Sequence, residues 1–172
     1  MRAEVPLRVD AILETLASFR VEFLVVGGVA VQAHGYLRGT GDLDIVPRPT
    51  LLNLSRLGEA LADLEAAPWR ATLPVDVTDP QLLKRVPLAP LVTRHGRLDL
   101  LNISHLRGAR ASFDELLERA LWVDLDGMRV AIAGADDLVR MKRAAGRPQD
   151  LADIGALTRT EEELEREVGE ST

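Results

Sequence analysis

The stretch that most constrains the fold is residues 25–46, with the sequence VVGGVAVQAHGYLRGTGDLDIV. An apolar, β-branched run ends at Gly27-Gly28, a loop with three glycines covers residues 35–41, and Asp42-Leu43-Asp44 opens a second apolar run. Side chains two residues apart in a strand share a face, at roughly 6–7 Å from each other. The two aspartates are therefore predicted to lie side by side, where they repel each other strongly unless they share a divalent cation through their oxygens.

The glycines of this stretch favour a second property, the binding of an anion by the backbone. A diglycine after a strand lets the backbone approach a ligand closely, and a helical turn over residues 29–34 would point free N–H groups at an anion. Taken alone, an Asp-x-Asp pair is commonly a solvated strand end, and Gly-Gly is commonly a turn. The two features at this separation favour a site for a metal-bound polyphosphate.

The remaining pattern predicts a mixed arrangement of helices and strands, with helices at both ends. Predicted helices cover residues 7–20, 29–34, 51–65 (capped by Thr50), 80–84, 113–119 (capping box Ser112–Glu115), 135–145 (ending at Gly146) and 148–158, followed by an acidic helix capped by Thr160 and Glu163. Predicted strands cover residues 22–26, 43–46, 91–94, 97–103, 121–125 and 128–132. The last four form two hairpins that turn at His95-Gly96 and Asp126-Gly127, and the prolines between residues 74 and 90 are expected to break regular structure.

The composition excludes several classes of protein and several kinds of site. The chain has 172 residues, 47% of them hydrophobic, and no cysteine. This length suits one compact unit with a real core, and the absence of cysteine excludes disulfide frameworks, cysteine metal sites and thiol nucleophiles. No apolar run reaches the roughly 18–20 residues of a membrane span, and residues 1–20 show no secretory signal, so we expect a cytoplasmic protein with no membrane partner.

The negative charge is concentrated at one end of the chain. The net charge is −6, and residues 151–172, with seven acidic and two basic side chains, account for −5 of it. No basic-aromatic stripe indicates a nucleic-acid surface. The part of the chain that holds the acidic motif is nevertheless close to neutral, so a triphosphate or an RNA end remains an admissible partner.

Two groups of residues resemble known families. Gly27-Gly28, Ala30, His34-Gly35, Arg38, Thr40 and Asp42-Leu43-Asp44-Ile45 resemble the signature of polymerase-β-like nucleotidyltransferases. Asp137-Leu138-Val139, Met141-Lys142, Ala145-Gly146-Arg147-Pro148 and Asp150-Leu151-Ala152-Asp153-Ile154 resemble the ending of AbiEii-type toxins and related stand-alone bacterial nucleotidyltransferases. The resemblance spans about residues 20–158. Gly28 stands where many members have a phosphate-binding serine, although Gly-Gly is itself a common variant.

The resemblance implies an α+β nucleotidyltransferase fold, with a small mixed sheet flanked by helices and a helical C-terminal part. The catalytic core would cover residues 1–104, and a C-terminal hairpin and helices would cover residues 105–172 within the same compact unit. The implied activity is Mg²⁺-dependent transfer of an NMP from an NTP to an acceptor hydroxyl, with release of pyrophosphate.

The resemblance also implies roles for individual residues. Asp42 and Asp44 would hold Mg²⁺ on the triphosphate, and Asp99 would complete a second metal site or act as the base. Lys142 would neutralise the β- and γ-phosphates. The implied nucleotide-binding residues are Gly27, Gly28, Arg38, Thr40, Lys142, Arg147 and Asp150.

Each secondary residue also has an ordinary explanation. Lys142 would otherwise be a surface lysine, Arg147 and Asp150 a surface ion pair, and Thr40 a brace for its turn. Arg38 would be a loop arginine without a role, and for His34 a packing or capping role is favoured over a pocket role.

Three kinds of function stay open at this point. The first is a toxin that modifies tRNA or a protein hydroxyl, together with an antitoxin-like partner. The second is a transferase that acts on a small molecule, as antibiotic-modifying members do. The third is a nucleotide-binding, partner-regulated protein with little turnover.

Overall fold

The computed structural model describes residues 5–70 and 76–170, which form helices around one mixed sheet. The helices are α1 (Val9–Ser18), α2 (Gly27–Ala33), α3 (Leu51–Asp63), α4 (Pro80–Arg85), α5 (Phe113–Glu118), α6 (Ala135–Ala145) and α7 (Pro148–Glu170). The strands are β1 (Phe23–Val26), β2 (Asp42–Pro47), β3 (Ala67–Pro68), β4 (Leu88–Thr93), β5 (Gly96–Leu101), β6 (Leu121–Leu125) and β7 (Met128–Ile132). The predicted mixed α/β class is confirmed. In the described part of the chain, no helix combines the length and hydropathy needed to cross a membrane.

The sheet places β2 near its middle. The seven strands lie in the order β3-β4-β5-β2-β1-β7-β6. β2 pairs antiparallel with β1 and parallel with β5, and β1 pairs parallel with β7. The hairpin of β6 and β7, late in the chain, therefore extends the sheet that the early strands begin. The predicted boundary at residue 104 does not correspond to a break in this sheet and stays a prediction.

Alternation along β2 and β5 separates a core face from a polar face. Leu43, Ile45 and Leu98 are completely buried, whereas Asp42 and Asp44, which alternate with Leu43 and Ile45, are partly accessible. Burying one such leucine or isoleucine stabilises the fold by about 1.5–3 kcal/mol. The apolar residues of these strands thus fix the register, and the register determines where the acidic side chains emerge.

Local signals in the sequence explain several helix ends. The hydroxyl of Thr50 accepts from the N–H of Asn53 at 3.3 Å, and Ser112 with Glu115 forms the predicted capping box. Gly146 ends α6 in the left-handed conformation, with φ of 66°. A side-chain N-cap is worth about 1 kcal/mol, so these residues define where each helix begins or ends.

Two predicted turns differ from the structure. Thr93 pairs with Gly96, so the hairpin turn is Arg94-His95, one residue earlier than predicted. α2 begins at Gly27 itself because Gly27 takes a φ of 67°, which allows an immediate strand-to-helix turn.

Pro90 was predicted to break regular structure, yet it lies within β4. Its carbonyl accepts from the N–H of Trp69 at 2.9 Å, on the side of β3. Its nitrogen faces the same side, so the missing N–H removes no bond to β5. Pro74, another predicted break, lies outside the described residues.

The acidic C-terminal segment was predicted as a separate helix capped by Thr160. Instead α7 runs unbroken for 23 residues, from Pro148 to Glu170. No proline lies between these residues after Pro148. A capping sequence inside a chain with helical propensity does not by itself interrupt the helix.

Asn53 ties the start of α3 to the sheet. It is 2% exposed, its Oδ1 accepts from the N–H of Glu22 at 2.7 Å, and its Nδ2 donates to the carbonyls of Glu22 and Arg48 at 2.8 and 3.0 Å. We predict that Asn53→Leu lowers the free energy of unfolding by about 1–3 kcal/mol, because the N–H of Glu22 and the carbonyl of Arg48 lose the side-chain partner that Asn53 gives them. Urea denaturation measures this change. The neighbouring Leu52→Ala, at a side chain that is 66% exposed, should change stability much less, and equal losses would contradict the assignment.

Candidate functional site

The parallel pairing of β2 with β5 brings the predicted acidic residues together. In the register of the two strands, Asp44 lies opposite Asp99 and Asp42 lies opposite Arg97. Residues opposite each other on adjacent strands project from the same face. Asp42, Asp44 and Asp99, far apart in the sequence, therefore share the polar face of the sheet.

Burial and neighbouring carboxylates raise the pKa of Asp44 and of Asp99. Burial, followed by the charges of Asp42 and Asp99, raises the pKa of Asp44 to about 7, although Lys142 and Arg147 oppose the shift. Burial and the charge of Asp42 raise the pKa of Asp99 to about 6, against the effect of Arg97. Both carboxyl groups therefore hold a proton more readily than an exposed aspartate does.

Arg97 lies within this cluster and was not among the predicted site residues. Its Nη2 is 3.5 Å from Oδ2 of Asp42 and 3.6 Å from Oδ1 of Asp99. Its guanidinium also covers the ring of Trp69, at 4.7 Å from the ring centroid. The spacing rule that pairs Asp42 with Asp44 also pairs Arg97 with Asp99, so the sequence contained the signal for Arg97.

The donor chemistry of the cluster fits a divalent cation such as Mg²⁺. Carboxylate oxygens are the ligands Mg²⁺ takes, and the buried Oδ1 of Asp99 has no hydrogen-bond partner among the described residues. The arrangement, however, is that of an ion-pair cluster. Within residues 5–70 and 76–170, no three or more acidic, histidine or cysteine side chains are gathered around a common point that could hold a metal ion.

The diglycine is packed against the same residues. A methyl group at Gly27 would lie 2.0 Å from Oδ2 of Asp44, and one at Gly28 would lie 2.5 Å from Nη2 of Arg38 and 2.8 Å from Oγ1 of Thr40. The hydroxyl of Thr40 donates to the carbonyl of Asp42 at 3.0 Å. Side chains of the protein thus approach both glycines closely, and Thr40 braces the turn that leads into β2.

A second charged cluster is buried between α6 and α7. Lys142 is 7% exposed, and its Nζ lies 3.2 Å from Oδ1 of Asp150 and 2.8 Å from Oδ2 of Asp153, both 1% exposed. Arg147 contacts Asp150 at 2.8 Å, and Arg38 contacts Asp153 at 3.3 Å. Removing one partner from such a buried cluster is costly because it leaves an unpaired charge.

This cluster changes the expectation for the predicted phosphate-binding cations. Lys142 is neither a surface lysine nor an unpaired one, since two buried aspartates hold it. Asp153 was quoted in the motif but was not predicted as a site residue. Burial opposes ionisation of Asp150, yet hydrogen bonds from Arg147 and Lys142 lower its pKa, so it stays charged at neutral pH.

A pocket of about 310 Å³ extends from Asp44 of the first cluster to the second cluster. Gly27 and Asp44 line one part of it, and Lys142, Arg147 and Asp150 line another. Its apolar wall is formed by Leu88, Leu101, Leu106, Leu138 and Met141. A concave site with an apolar wall and a few convergent polar groups is typical of small-ligand binding.

His34 lies apart from this chemistry. Its Nε2 is 2.8 Å from the carbonyl oxygen of Ala133. This bond joins the end of α2 to the residue after β7, which agrees with the packing role favoured for His34.

Comparison with solved structures identifies the fold. An antigenic nucleotidyltransferase-like protein from Paracoccidioides brasiliensis is similar, with a TM-score of 0.58 and 15% identity over 89% of this chain and 78% of that chain. The chain has a nucleotidyltransferase fold. A nucleotidyltransferase candidate from Thermotoga maritima is similar at a TM-score of 0.49 and 12% identity, over 99% of each chain. Of these two, the first alone is close enough to establish a shared fold.

Sequence comparisons add no relative. No protein-family model and no curated protein matches the chain. The predicted nucleotidyltransferase fold is therefore confirmed by structure alone.

In this nucleotidyltransferase fold, Gly27 is predicted to be irreplaceable because of Asp44. Gly27→Ala should lose about 1–2 kcal/mol from its left-handed backbone, and more because the methyl group collides with the Asp44 carboxylate. Gly146 is the matched control, since its φ of 66° is nearly the same and a Cβ there would meet only the carbonyl oxygen of Arg143, at an ordinary contact distance of 3.8 Å. Urea unfolding should therefore show a larger loss for Gly27→Ala than for Gly146→Ala. A loss at Gly27 no larger than that at Gly146 would contradict this account.

The raised pKa of Asp44 predicts a pH-dependent cost in stability. Between the unfolded value of 3.8 and about 7, the folded state binds the proton more tightly than the unfolded state does. The contribution of Asp44 to stability therefore falls as pH rises through that window. The stability of Asp44→Asn relative to the unsubstituted chain should rise from pH 4 to pH 7 and then level off. Chemical denaturation without divalent cations measures this difference, and a difference independent of pH would contradict the prediction.

Proposed function

We propose that the chain is a Mg²⁺-dependent nucleotidyltransferase that moves an NMP from an NTP to an acceptor hydroxyl and releases pyrophosphate. The observation that carries this proposal is the pairing of β2 with β5, which sets Asp42, Asp44 and Asp99 on one face of the sheet. The pocket lined by Asp44, Lys142 and Arg147 begins at that face. The pocket thus joins Asp44, which shares its face with Asp42 and Asp99, to two cations, and this supports a site for a metal-bound triphosphate.

The two parts of the pocket suit the two parts of a nucleotide. The apolar wall offers van der Waals contact to a base and a ribose. Lys142 and Arg147 supply positive charge for the triphosphate. Arg147 is the one placed to reach a phosphate, since its side chain is 73% exposed. Lys142 contributes positive charge to the phosphate position without contacting it, because its Nζ is held by Asp150 and Asp153.

This placement supports the following reaction. The acceptor oxygen forms a bond to the α-phosphorus as the bond from that phosphorus to the bridging oxygen breaks, and the electron pair leaves with pyrophosphate. Asp42 and Asp44 would hold Mg²⁺, which would neutralise charge on the phosphates. Asp99 would either complete a second metal site or act as the base. As the base it would accept the proton of the attacking hydroxyl, and a pKa of about 6 leaves it mostly ionised at neutral pH.

The acceptor distinguishes narrower versions of this proposal. The resemblance to AbiEii-type proteins favours a toxin that modifies tRNA or a protein hydroxyl and is restrained by an antitoxin-like partner. The alternatives are a small-molecule transferase of the antibiotic-modifying kind and a nucleotide-binding, partner-regulated protein with little turnover. Each alternative predicts a different destination for a labelled NMP.

The test is a transfer assay with each of the four NTPs labelled at the α-phosphate. The purified chain is incubated with Mg²⁺ and, separately, total tRNA, cell-extract protein and hydroxylated antibiotics. Label on one acceptor class supports the corresponding version. Asp44→Ala and Asp99→Ala should each lower the rate more than about 100-fold, since even residues behind metal ligands contribute 10–100-fold.

The matched control is Asp10→Ala, an acid on α1 whose side chain is 64% exposed and pairs only with a nearby arginine in the interactions described. It should retain the full rate. Chelation of Mg²⁺ should stop transfer completely. Wild-type rates in Asp44→Ala or Asp99→Ala would overturn the assignment, and NTP binding without transfer to any acceptor would favour the partner-regulated alternative.

A further inference from the structure

Asp42 and Asp99 share the guanidinium of Arg97. The contacts of 3.5 and 3.6 Å are ion-pair distances, well beyond the 2.7–2.9 Å of a charge-assisted hydrogen bond. Arg97 therefore attracts both carboxylates through its charge and does not fix them through directional bonds.

Trp69 also contacts the guanidinium of Arg97. The guanidinium lies 4.7 Å from the centroid of the Trp69 ring, which is within the range of a cation–π contact. The buried Nε of Arg97 has no hydrogen-bond partner among the described residues. The guanidinium is thus held by stacking and charge, without a directional bond at Nε. A guanidinium held in this way can be displaced by another cation.

The charges around Arg97 do not balance. Three carboxylates project from this face of β2 and β5, and the pairing register places one guanidinium directly among them. A divalent cation that arrives at these oxygens brings twice the charge of Arg97 and is attracted to the same two carboxylates. It also repels the guanidinium at close range.

We propose that Arg97 is a resident counter-cation, held on Trp69, which keeps Asp42 and Asp99 together until a divalent cation displaces it. Arg97 is thus a positioning residue. The inference rests on the proposed function, because it requires a divalent cation at these carboxylates. It goes beyond that function because it assigns Arg97 as the cation that competes with the metal and Trp69 as the side chain that holds Arg97.

The first test measures Mn²⁺ affinity by electron paramagnetic resonance, without nucleotide, so that no activity is involved. Arg97→Gln should bind Mn²⁺ about fivefold more tightly than the unsubstituted chain, because two partly exposed ion pairs no longer compete. Arg97→Lys, which keeps the charge, should stay within about twofold. The matched control is Arg129→Gln, since Arg129 covers Trp122 in the same way, at 4.8 Å; its Mn²⁺ affinity should not change.

The second test leaves Arg97 intact and follows Trp69. The chain has two tryptophans, so Trp122→Phe leaves Trp69 as the only indole. Mg²⁺, which does not itself quench fluorescence, should change the emission of this variant as the guanidinium leaves the ring. Trp69→Phe, which retains Trp122, should show no change with Mg²⁺.

The outcomes separate this inference from the proposed function. Tighter Mn²⁺ binding in Arg97→Gln together with a Mg²⁺-dependent signal from Trp69 supports both. Mn²⁺ binding that is lost in Asp44→Asn but unchanged or weaker in Arg97→Gln overturns the inference alone. A Trp69 signal that does not respond to saturating Mg²⁺ also overturns the inference alone. Absence of Mn²⁺ binding to the unsubstituted chain, with no transfer in the labelled-NTP assay, overturns the proposed function and this inference with it.

Discussion

The parallel pairing of β2 with β5 is the interaction on which the rest of the structure depends. It joins segments more than fifty residues apart, and its apolar side, with Leu43, Ile45 and Leu98, belongs to the core. The same register brings Asp44 and Asp99 side by side on the opposite face. Burial of the leucines and isoleucine therefore supplies the free energy that holds mutually repelling carboxylates together.

The buried cluster of ion pairs stabilises the other end of the pocket. Lys142, Asp150 and Asp153 are all nearly inaccessible, and ion pairs in such a place stabilise mainly by penalising the loss of any one member. Arg38 extends this cluster to the glycine loop before β2, while Arg147 extends it towards the pocket. The cations near the proposed phosphate position are thus fixed in place before any ligand binds.

Much of the fold was predictable because its signals are local. The alternation of Leu43 and Asp44, the capping box at Ser112 and the left-handed Gly146 are each encoded within a few residues. The acidic pair Asp42 and Asp44 followed from strand geometry alone. The position of Asp99 beside them followed only from a family resemblance, because no local pattern states which strands become neighbours.

The features that were missed depend on tertiary contacts. The hairpin turn differed by one residue because Thr93, and not Arg94, is the last paired residue. Pro90 fits in β4 only because its nitrogen faces the short strand β3. The burial of Lys142 and its contact with Asp153 were missed because they depend on how α7 folds back along α6 after Gly146. Arg97 lies two residues before the predicted site residue Asp99. Its role was missed because it depends on the contact with Trp69, which joins β5 to the segment that follows β3.

The alternation of core and acidic side chains along β2 also limits how this protein can diverge. An insertion or deletion of a single residue within β2 would rotate the following side chains to the other face. Leucine and isoleucine would then occupy the polar face, while the aspartates would enter the core. Descendants can therefore exchange one residue for another here, or vary the length of the glycine loop before the strand. Within β2 itself, the alternation of side chains is fixed, because one face packs in the core and the other presents the acidic residues.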